Sequence, residues 1–167
     1  MKKIIVTAVL LISVLSLLCS CSGGSGGSAQ TTAPEKKDVS LSAIMTKIEG
    51  SFTFSEDMYD ITSAEQLANR YYFDSSDVKS FAAKINGSGV QCDEIVMIEA
   101  SDAEALARVK GRLEDRLSDV CAQMNNYLPD QYEIASKCKV ETFGNYATLF
   151  ISSDAAAITE LFKSEIA

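Results

Sequence analysis

Residues 92–99 read Cys-Asp-Glu-Ile-Val-Met-Ile-Glu, and the prediction of the fold starts from this stretch. The four residues 95–98 are apolar and follow one another without a polar interruption. A strand with one face in water alternates apolar and polar residues, so a continuous run is typical of a more deeply buried strand. We therefore expect a strand that lies inside a sheet rather than at a half-exposed edge.

The residues that follow this strand predict a long helix. Ser101 and Glu104 have the spacing of a capping box, and the helix is expected to run to about Tyr127, before Leu128-Pro129. Its apolar stripe consists of Leu106, Val109, Leu113, Leu117, Val120, Cys121 and Met124. The charged residues between them are predicted on the solvated side: Glu104, Arg108, Arg112, Asp115, Arg116 and Asp119.

A β-hairpin is predicted near the end of the chain, with Gly144-Asn145 as its two-residue turn. This turn would pair Phe143 with Tyr146, Val140 with Leu149, and Cys138 with Ile151. One face of the hairpin would then be the core side, because side chains alternate along a strand. That face carries Cys138, Val140, Thr142, Ala147, Leu149 and Ile151.

Three helices are predicted before residue 92, over about residues 41–50, 62–72 and 75–85. Thr62 and Glu65 have the spacing of a capping box for the second helix. The first helix has an apolar stripe of Leu41, Ile44, Met45 and Ile48, and the third has one of Val78, Phe81, Ala82 and Ile85.

The predicted architecture is α+β, with the element order ααα-β-α-ββ-α. Residues 51–61 are expected to form a loop or a short strand. The last helix is expected to begin after a cap at Ser153 or Asp154. The sheet is expected to be small and mainly antiparallel, with about three strands and helices covering one face. A single globular domain is predicted over residues 39–167.

The beginning of the chain has the features of an export signal. Lys2 and Lys3 precede an apolar segment over residues 4–18, which is short for a bilayer-spanning helix of roughly 20 residues. The next residues, Leu18-Cys19-Ser20-Cys21, resemble the lipobox of bacterial lipoproteins. The alternatives are an uncleaved membrane anchor and cleavage by an ordinary signal peptidase.

The lipobox predicts that residues 1–20 are a signal peptide and that Cys21 carries acyl chains of the palmitate type. Residues 21–38 are then the lipidated cysteine and a flexible Gly/Ser-rich tether. Two or three acyl chains hold a protein stably on a membrane, whereas one does so only marginally. We therefore expect localisation at the extracytoplasmic face of the cell membrane.

Charge and composition exclude several functions. Removal of residues 1–21 takes away Lys2 and Lys3 and no acid, which leaves 13 basic and 23 acidic side chains and a formal charge of −10. Nucleic acid and anionic lipid head groups repel such a domain. The chain has no histidine, which excludes Ser-His-Asp catalysis, Cys-His catalysis and histidine-ligated zinc. No cofactor and no metal ion are predicted.

Three cysteines follow Cys21, at Cys92, Cys121 and Cys138. One interpretation is that all three are small buried apolar residues. The other is a single disulfide, either Cys92–Cys138 or Cys121–Cys138, with one thiol left over.

Three short stretches carry a resemblance to a known family. They are Asp93-Glu94-Ile95, Tyr127-Leu128-Pro129 with Gln131-Tyr132, and Gly144-Asn145-Tyr146. From about Leu41 to Ile166 the chain resembles the domain-of-unknown-function 4358 family of exported lipoproteins from Gram-positive anaerobes. The resemblance implies localisation and fold, and none of its motifs is of a catalytic type.

Asp93 and Glu94 are a candidate polar site, because acids beside a buried strand must be solvated, paired or functional. Neighbours in a strand point to opposite faces, so the two cannot form a carboxylate pair by themselves. The structural alternative is an acid bonded to a helix N-terminus or to a lysine.

Phe143, Tyr146 and Phe150 share the second face of the hairpin and are a candidate partner surface. The alternative is that the first helices cover this face. The leading hypothesis is a non-catalytic binding or accessory domain whose partner is an envelope protein or glycan. The alternative is a carboxylate-dependent hydrolase that acts on envelope polymers.

Overall fold

The computed structural model describes residues 40–167. Its helices are α1 (Leu41–Ser51), α2 (Ala64–Tyr71), α3 (Ala103–Tyr127), α4 (Pro129–Ala135) and α5 (Ala155–Ile166). Its strands are β1 (Met58–Ile61), β2 (Val78–Asn86), β3 (Glu94–Ala100), β4 (Val140–Phe143) and β5 (Tyr146–Ile151), and a 3₁₀ turn precedes β2 at Ser75–Asp77. The predicted signal peptide, Cys21 and the tether lie outside the described residues. Within residues 40–167, no helix has the length and apolar content needed to cross a bilayer.

The strands form one antiparallel sheet in the order β1-β2-β3-β5-β4. The α+β class and the antiparallel sheet are therefore confirmed, whereas the predicted number of about three strands is wrong because the sheet has five. β3 lies in the middle, and all of its residues are buried. The strand expected over residues 92–99 is thus confirmed inside the sheet, with its bounds at Glu94–Ala100.

Helices cover both faces of the sheet, so the prediction of one covered face is wrong. Helices α2 and α3 pack on the face that carries Val96, Ile98 and Leu149, and α1 and α5 pack on the face that carries Ile95, Met97 and Phe150. The physical reason lies in the run at 95–98, because alternate residues of a strand point to opposite faces. Four consecutive apolar side chains therefore need an apolar cover on each side.

Residues 78–86 form strand β2 and not the predicted third helix. Its residues pair with β1 on one side and with β3 on the other, for example Ala83 with both Ile61 and Val96. Both faces of β2 are partly covered, so its apolar residues do not alternate strictly, and their spacing also fits a helical stripe. Residues 58–61, expected to be a loop or a short strand, form the edge strand β1.

For the predicted helices that form (α1, α2, α3 and α5), the predicted starts are correct to within about one residue. Ser63, rather than Thr62, caps α2 by accepting a hydrogen bond from Gln66 N, and Asp102, rather than Ser101, caps α3. At the other end of α3, Pro129 occupies the first turn of the short helix α4, which was not predicted. Proline suits this position because the first N–H groups of a helix have no partner within it.

The hairpin forms as predicted around its turn. Phe143 pairs with Tyr146 and Val140 pairs with Leu149. The ladder begins at Val140, so the predicted pairing of Cys138 with Ile151 is not formed. Of the residues predicted on the core side, Ala147, Leu149 and Ile151 are buried, while Thr142 is exposed on the edge strand β4.

Candidate functional site

A polar cavity of about 300 Å³ opens beside the start of β3, on the sheet face that α2 and α3 cover. This volume is at the lower end of small-molecule pockets, roughly 300–1,000 Å³. We call it the Glu94 cavity. Its lining includes Tyr59, Arg70, Gly87, Gln91, Cys92, Asp93, Glu94, Arg116, Gln123 and Met124.

The carboxylate of Glu94 forms the floor of the cavity, and the residue as a whole is 1% exposed. Arg116 Nη2 lies 2.7 Å and Arg116 Nε 3.0 Å from Glu94 Oε2, and the hydroxyl of Tyr71 donates to Oε1 at 2.7 Å. A buried carboxylate without partners would cost several kcal/mol, roughly 3–5 when one partner of a buried pair is removed. The three side chains together satisfy one another, so the floor is a closed network.

Three elements bring these side chains together. Glu94 is the first residue of β3 and shares a face with Val96 and Ile98, toward α2 and α3. Arg116 lies on α3 three residues after the buried Leu113, and Tyr71 is the last residue of α2. Helical spacing therefore places the arginine beside the buried stripe and within reach of the strand.

The charges of the floor change the pKa values of its members. Burial raises the pKa of Tyr71 well above its ordinary value, and the negative charge of Glu94 raises it further. Burial by itself would lower the pKa of Arg116, but the charge and hydrogen bonds of Glu94 give a net increase. Tyr71 is therefore a neutral donor and Arg116 a permanent cation at neutral pH.

The wall of the cavity differs from its floor because several polar side chains there are unused. The side chains of Arg70, Gln91 and Gln123 make no hydrogen bond or ion pair with another residue of the described chain. The carboxylate of Asp93 accepts one hydrogen bond, from Ser55 N at 3.2 Å, through a single oxygen. The wall thus offers guanidinium donors, two amide groups and a carboxylate oxygen to a ligand.

The loop that follows β2 contributes Gly87 and Gly89 to the lining, and we call this loop the rim of the cavity. Asn86, the last residue of β2, holds it in place. Its Nδ2 donates to Ser55 Oγ at 2.9 Å and to the carbonyl of Glu56 at 2.7 Å, and its Oδ1 accepts from Ser88 N at 2.8 Å. Gly87 N donates to the carbonyl of Asp57 at 3.1 Å. The bonds tie the rim to the segment before β1.

A family model described as "Domain of unknown function (DUF4358)" matches residues 51–152, which is more than half of the chain. The chain belongs to the DUF4358 family. The matched range contains all five strands and every lining residue of the Glu94 cavity, and it leaves out α5 and nearly all of α1. No curated protein and no solved structure matches the chain.

Cys92 lies in the wall of the cavity of the DUF4358 domain as a buried thiol. Its N–H donates to Gln131 Oε1 at 3.0 Å, and its Sγ lies 3.5 Å from the carbonyl oxygen of Gln131. Burial, followed by the negative charge of Asp93, raises the pKa of Cys92 to about 12. Because the thiolate is the nucleophile, Cys92 is unreactive at neutral pH.

The other two cysteines are also free thiols. Burial raises the pKa of Cys121 and that of Cys138, and both side chains are half-buried. In the described residues the structure contains neither of the two disulfides considered from the sequence. No group of three cysteine or acidic side chains within residues 40–167 has the geometry of a metal site.

The structure places both predicted acids at the cavity, but in different roles. Glu94 is buried in the floor, and Asp93 lies half-buried in the wall. The partners of Glu94 are an arginine and a tyrosine, whereas the structural alternative considered from the sequence was a lysine or a helix N-terminus. Arg116 was assigned to the solvated side of α3, which is wrong because its side chain is 23% exposed and ion-paired. The sequence did contain a signal for this contact. Arg116 follows Leu113 by three residues and precedes Val120 by four, so helical spacing places it beside these buried residues.

The aromatic residues predicted as a partner surface are not exposed. Tyr146 and Phe150 are buried, and Phe143 is half-buried. The rings of all three lie 5.7–6.1 Å from the ring of Phe162 in α5, measured between centroids. The face is therefore largely covered, a point that the sequence left open. The alternative of helical cover holds, although α5 covers the face together with α1.

Proposed function

We propose that the chain is a lipid-anchored extracytoplasmic lipoprotein whose DUF4358 domain binds a polar ligand of the cell envelope in the Glu94 cavity, without catalysing a reaction. The observation that carries this proposal is the division between floor and wall. The floor is a closed network, while Arg70, Gln91 and Gln123 in the wall have no partner within the described residues. Binding sites combine a rigid, preformed base with a few convergent polar groups in this way.

The floor supports binding more than acid–base chemistry. A general acid or base must exchange a proton with the reacting group, and both oxygens of Glu94 are already occupied by Arg116 and Tyr71. Asp93 is the neighbouring residue and belongs to the wall, so the cavity lacks two free facing carboxylates. The hydrolase alternative would need such a pair.

The anchor in this proposal is Cys21, because Leu18-Cys19-Ser20-Cys21 has the pattern of a lipobox. A flexible tether of residues 22–38 would have a root-mean-square length of about 20–25 Å. The cavity would then sample ligands close to the membrane. The partner is expected among envelope components, since the formal charge of −10 that remains after removal of residues 1–21 disfavours nucleic acid.

In-cell photocrosslinking tests the proposed site. A photoreactive amino acid would replace Gln123 at the cavity wall, and the matched control would carry it at Asn125, which is exposed on the same helix but about 200° further around it. We expect an adduct with an envelope component from position 123, and loss of this adduct when Arg70→Ala is added. Equal adducts from both positions, or none from position 123, would contradict the proposal.

A further inference from the structure

Two exposed apolar side chains lie in or directly beside the lining of the Glu94 cavity. Tyr59 is 42% exposed and lines the cavity, and Val90, which is 55% exposed, stands between the lining residues Gly89 and Gln91. Tyr127 is 81% exposed and lies one helical turn beyond Gln123 on α3. An exposed aromatic side chain beside unused polar groups gives a ligand both an apolar and a polar surface to bind.

The charge of the cavity lining is balanced, although the domain as a whole is acidic. The lining contains two arginines, Arg70 and Arg116, and two acids, Asp93 and Glu94. An anionic ligand would meet Asp93 and the negative field of the whole domain, whereas a cation would meet the free guanidinium of Arg70. A neutral ligand with many hydrogen-bonding groups avoids both penalties.

We propose that the Glu94 cavity recognises a neutral saccharide unit of an envelope glycan, whose apolar ring face stacks on Tyr59. This inference rests on the proposed function and names its ligand class. A sugar hydroxyl both donates and accepts hydrogen bonds, as do the amide side chains of Gln91 and Gln123. Arg70 supplies further donors, and the carboxylate of Asp93 supplies an acceptor. These four side chains together offer both hydrogen-bond donors and acceptors. They therefore match a ring of hydroxyl groups better than a phosphate, which mainly accepts, or an ammonium group, which only donates.

Gly87 positions the Tyr59 ring. A Cβ atom at position 87 would lie 3.2 Å from Tyr59 Cε1 and 3.3 Å from Cδ1, so a larger residue would push the ring away by a few tenths of an ångström. The ring thus occupies space that a side chain at position 87 would need, and 42% of Tyr59 stays exposed. The rim itself is held by Asn86. The stacking surface is therefore formed before the ligand arrives.

Ligand-observed NMR on the mature protein in detergent micelles tests this inference. The probes are glycan fragments released from the envelope of the source cells and separated by anion exchange into a neutral pool and an anionic pool. We expect saturation transfer to the neutral pool, and roughly tenfold weaker binding for Tyr59→Ala. Gly87→Ala should weaken binding by a smaller factor, because it displaces the ring without removing it. Tyr72→Ala is the control, since Tyr72 is exposed and outside the lining.

The outcomes separate the ligand class from the proposed site. Binding to the neutral pool that depends on Tyr59 supports both. Binding to the anionic pool alone, with loss in Arg70→Ala, overturns the saccharide inference and leaves the cavity as a binding site. Binding to the neutral pool that is unchanged in Tyr59→Ala also overturns the inference. If neither pool binds, the saccharide inference is overturned, and the proposed function is judged separately by photocrosslinking from position 123.

Discussion

Arg116 of α3 holds Glu94 of β3 through hydrogen bonds of 2.7 and 3.0 Å to one carboxylate oxygen. The two residues are 22 positions apart in the chain, and their contact joins the long helix to the central strand. Glu94 is buried and Arg116 is mostly buried, so the pair lies in a region of low dielectric constant. It fixes the floor on which the proposed binding site is built.

Glu94→Gln is expected to lower the free energy of unfolding by about 3 kcal/mol, because it leaves the cation of Arg116 without its counter-charge. The measurement is urea denaturation at neutral pH. Asp115→Asn is the control, since it removes an exposed pair with Arg112 and should cost less than about 1 kcal/mol. Glu94→Gln/Arg116→Met should recover part of the loss. An equal effect of Glu94→Gln and Asp115→Asn would contradict this account of the floor.

Phe150→Ala is expected to lower the free energy of unfolding by about 3–5 kcal/mol, because it leaves a cavity beneath α5. The ring of Phe150 is buried and lies 6.1 Å from that of Phe162. Tyr127→Ala, at a residue that is 81% exposed, should change stability by less than about 0.5 kcal/mol. Thermal and urea unfolding of both variants would measure the difference. If Phe150→Ala has nearly the wild-type free energy of unfolding, Phe150 is not part of the packed core, and its face of the hairpin is again a candidate partner surface.

The stability of the domain should fall as the pH rises above about 9. Burial raises the pKa of Cys92 to about 12 from an ordinary value of 9.0, so the unfolded chain loses this proton first. The contribution is fully present below pH 9 and is lost between about pH 9 and pH 12. Tyr71, whose pKa is also raised by burial, adds a loss of the same sign.

Urea denaturation at about pH 8 and about pH 10.5 measures this loss, with Cys92→Ala and Tyr71→Phe each expected to reduce it. Alkylation gives an independent reading, because the thiol of Cys92 should react much more slowly in the native protein than in the unfolded one. Native Cys92 that is alkylated as fast as the unfolded thiol near pH 8 would refute the assignment.

Cys21→Ser is expected to abolish lipidation and processing, because the acyl chains are attached to this sulfur in the proposed lipoprotein. Mass spectrometry of the wild-type protein should show acylated Cys21 as its first residue. Cys19→Ser is the matched control and should leave processing intact, since Cys19 has the bulky Leu18 directly before it. Normal processing of Cys21→Ser, or an unmodified Met1 in the wild-type protein, would rule out the anchor.

The parts of the fold that local sequence determines were predicted best. The apolar run at 95–98 identified the central strand, and the Gly144-Asn145 turn fixed the register of the hairpin. Strand β2 was missed because both of its faces are partly covered, so its pattern lost the alternation that marks a half-buried strand. Tertiary packing, rather than local preference, makes it a strand.

The candidate site was predicted only in part, for a related reason. Asp93 and Glu94 stood out because acids beside a buried strand need an explanation. Arg116, the partner of Glu94, did not stand out, because a charged residue on a helix is usually solvated. The contact of Arg116 with Glu94 depends on how α3 crosses the sheet. The unused side chains of Arg70, Gln91 and Gln123 also converge only in three dimensions. Exposure of the aromatic hairpin face likewise depended on the position of α5.

Retention of the mature protein on delipidated envelope preparations tests the central claim most directly, with the wild type compared against Arg70→Ala/Gln123→Ala. Both substitutions are at exposed positions, so the domain should remain folded, and Arg112→Ala/Asn125→Ala is the matched control away from the cavity. We predict that the cavity variant binds at least about tenfold more weakly than the wild type and the control, which corresponds to about 1.4 kcal/mol. Equal retention of all three proteins would contradict the assignment of the Glu94 cavity as the binding site.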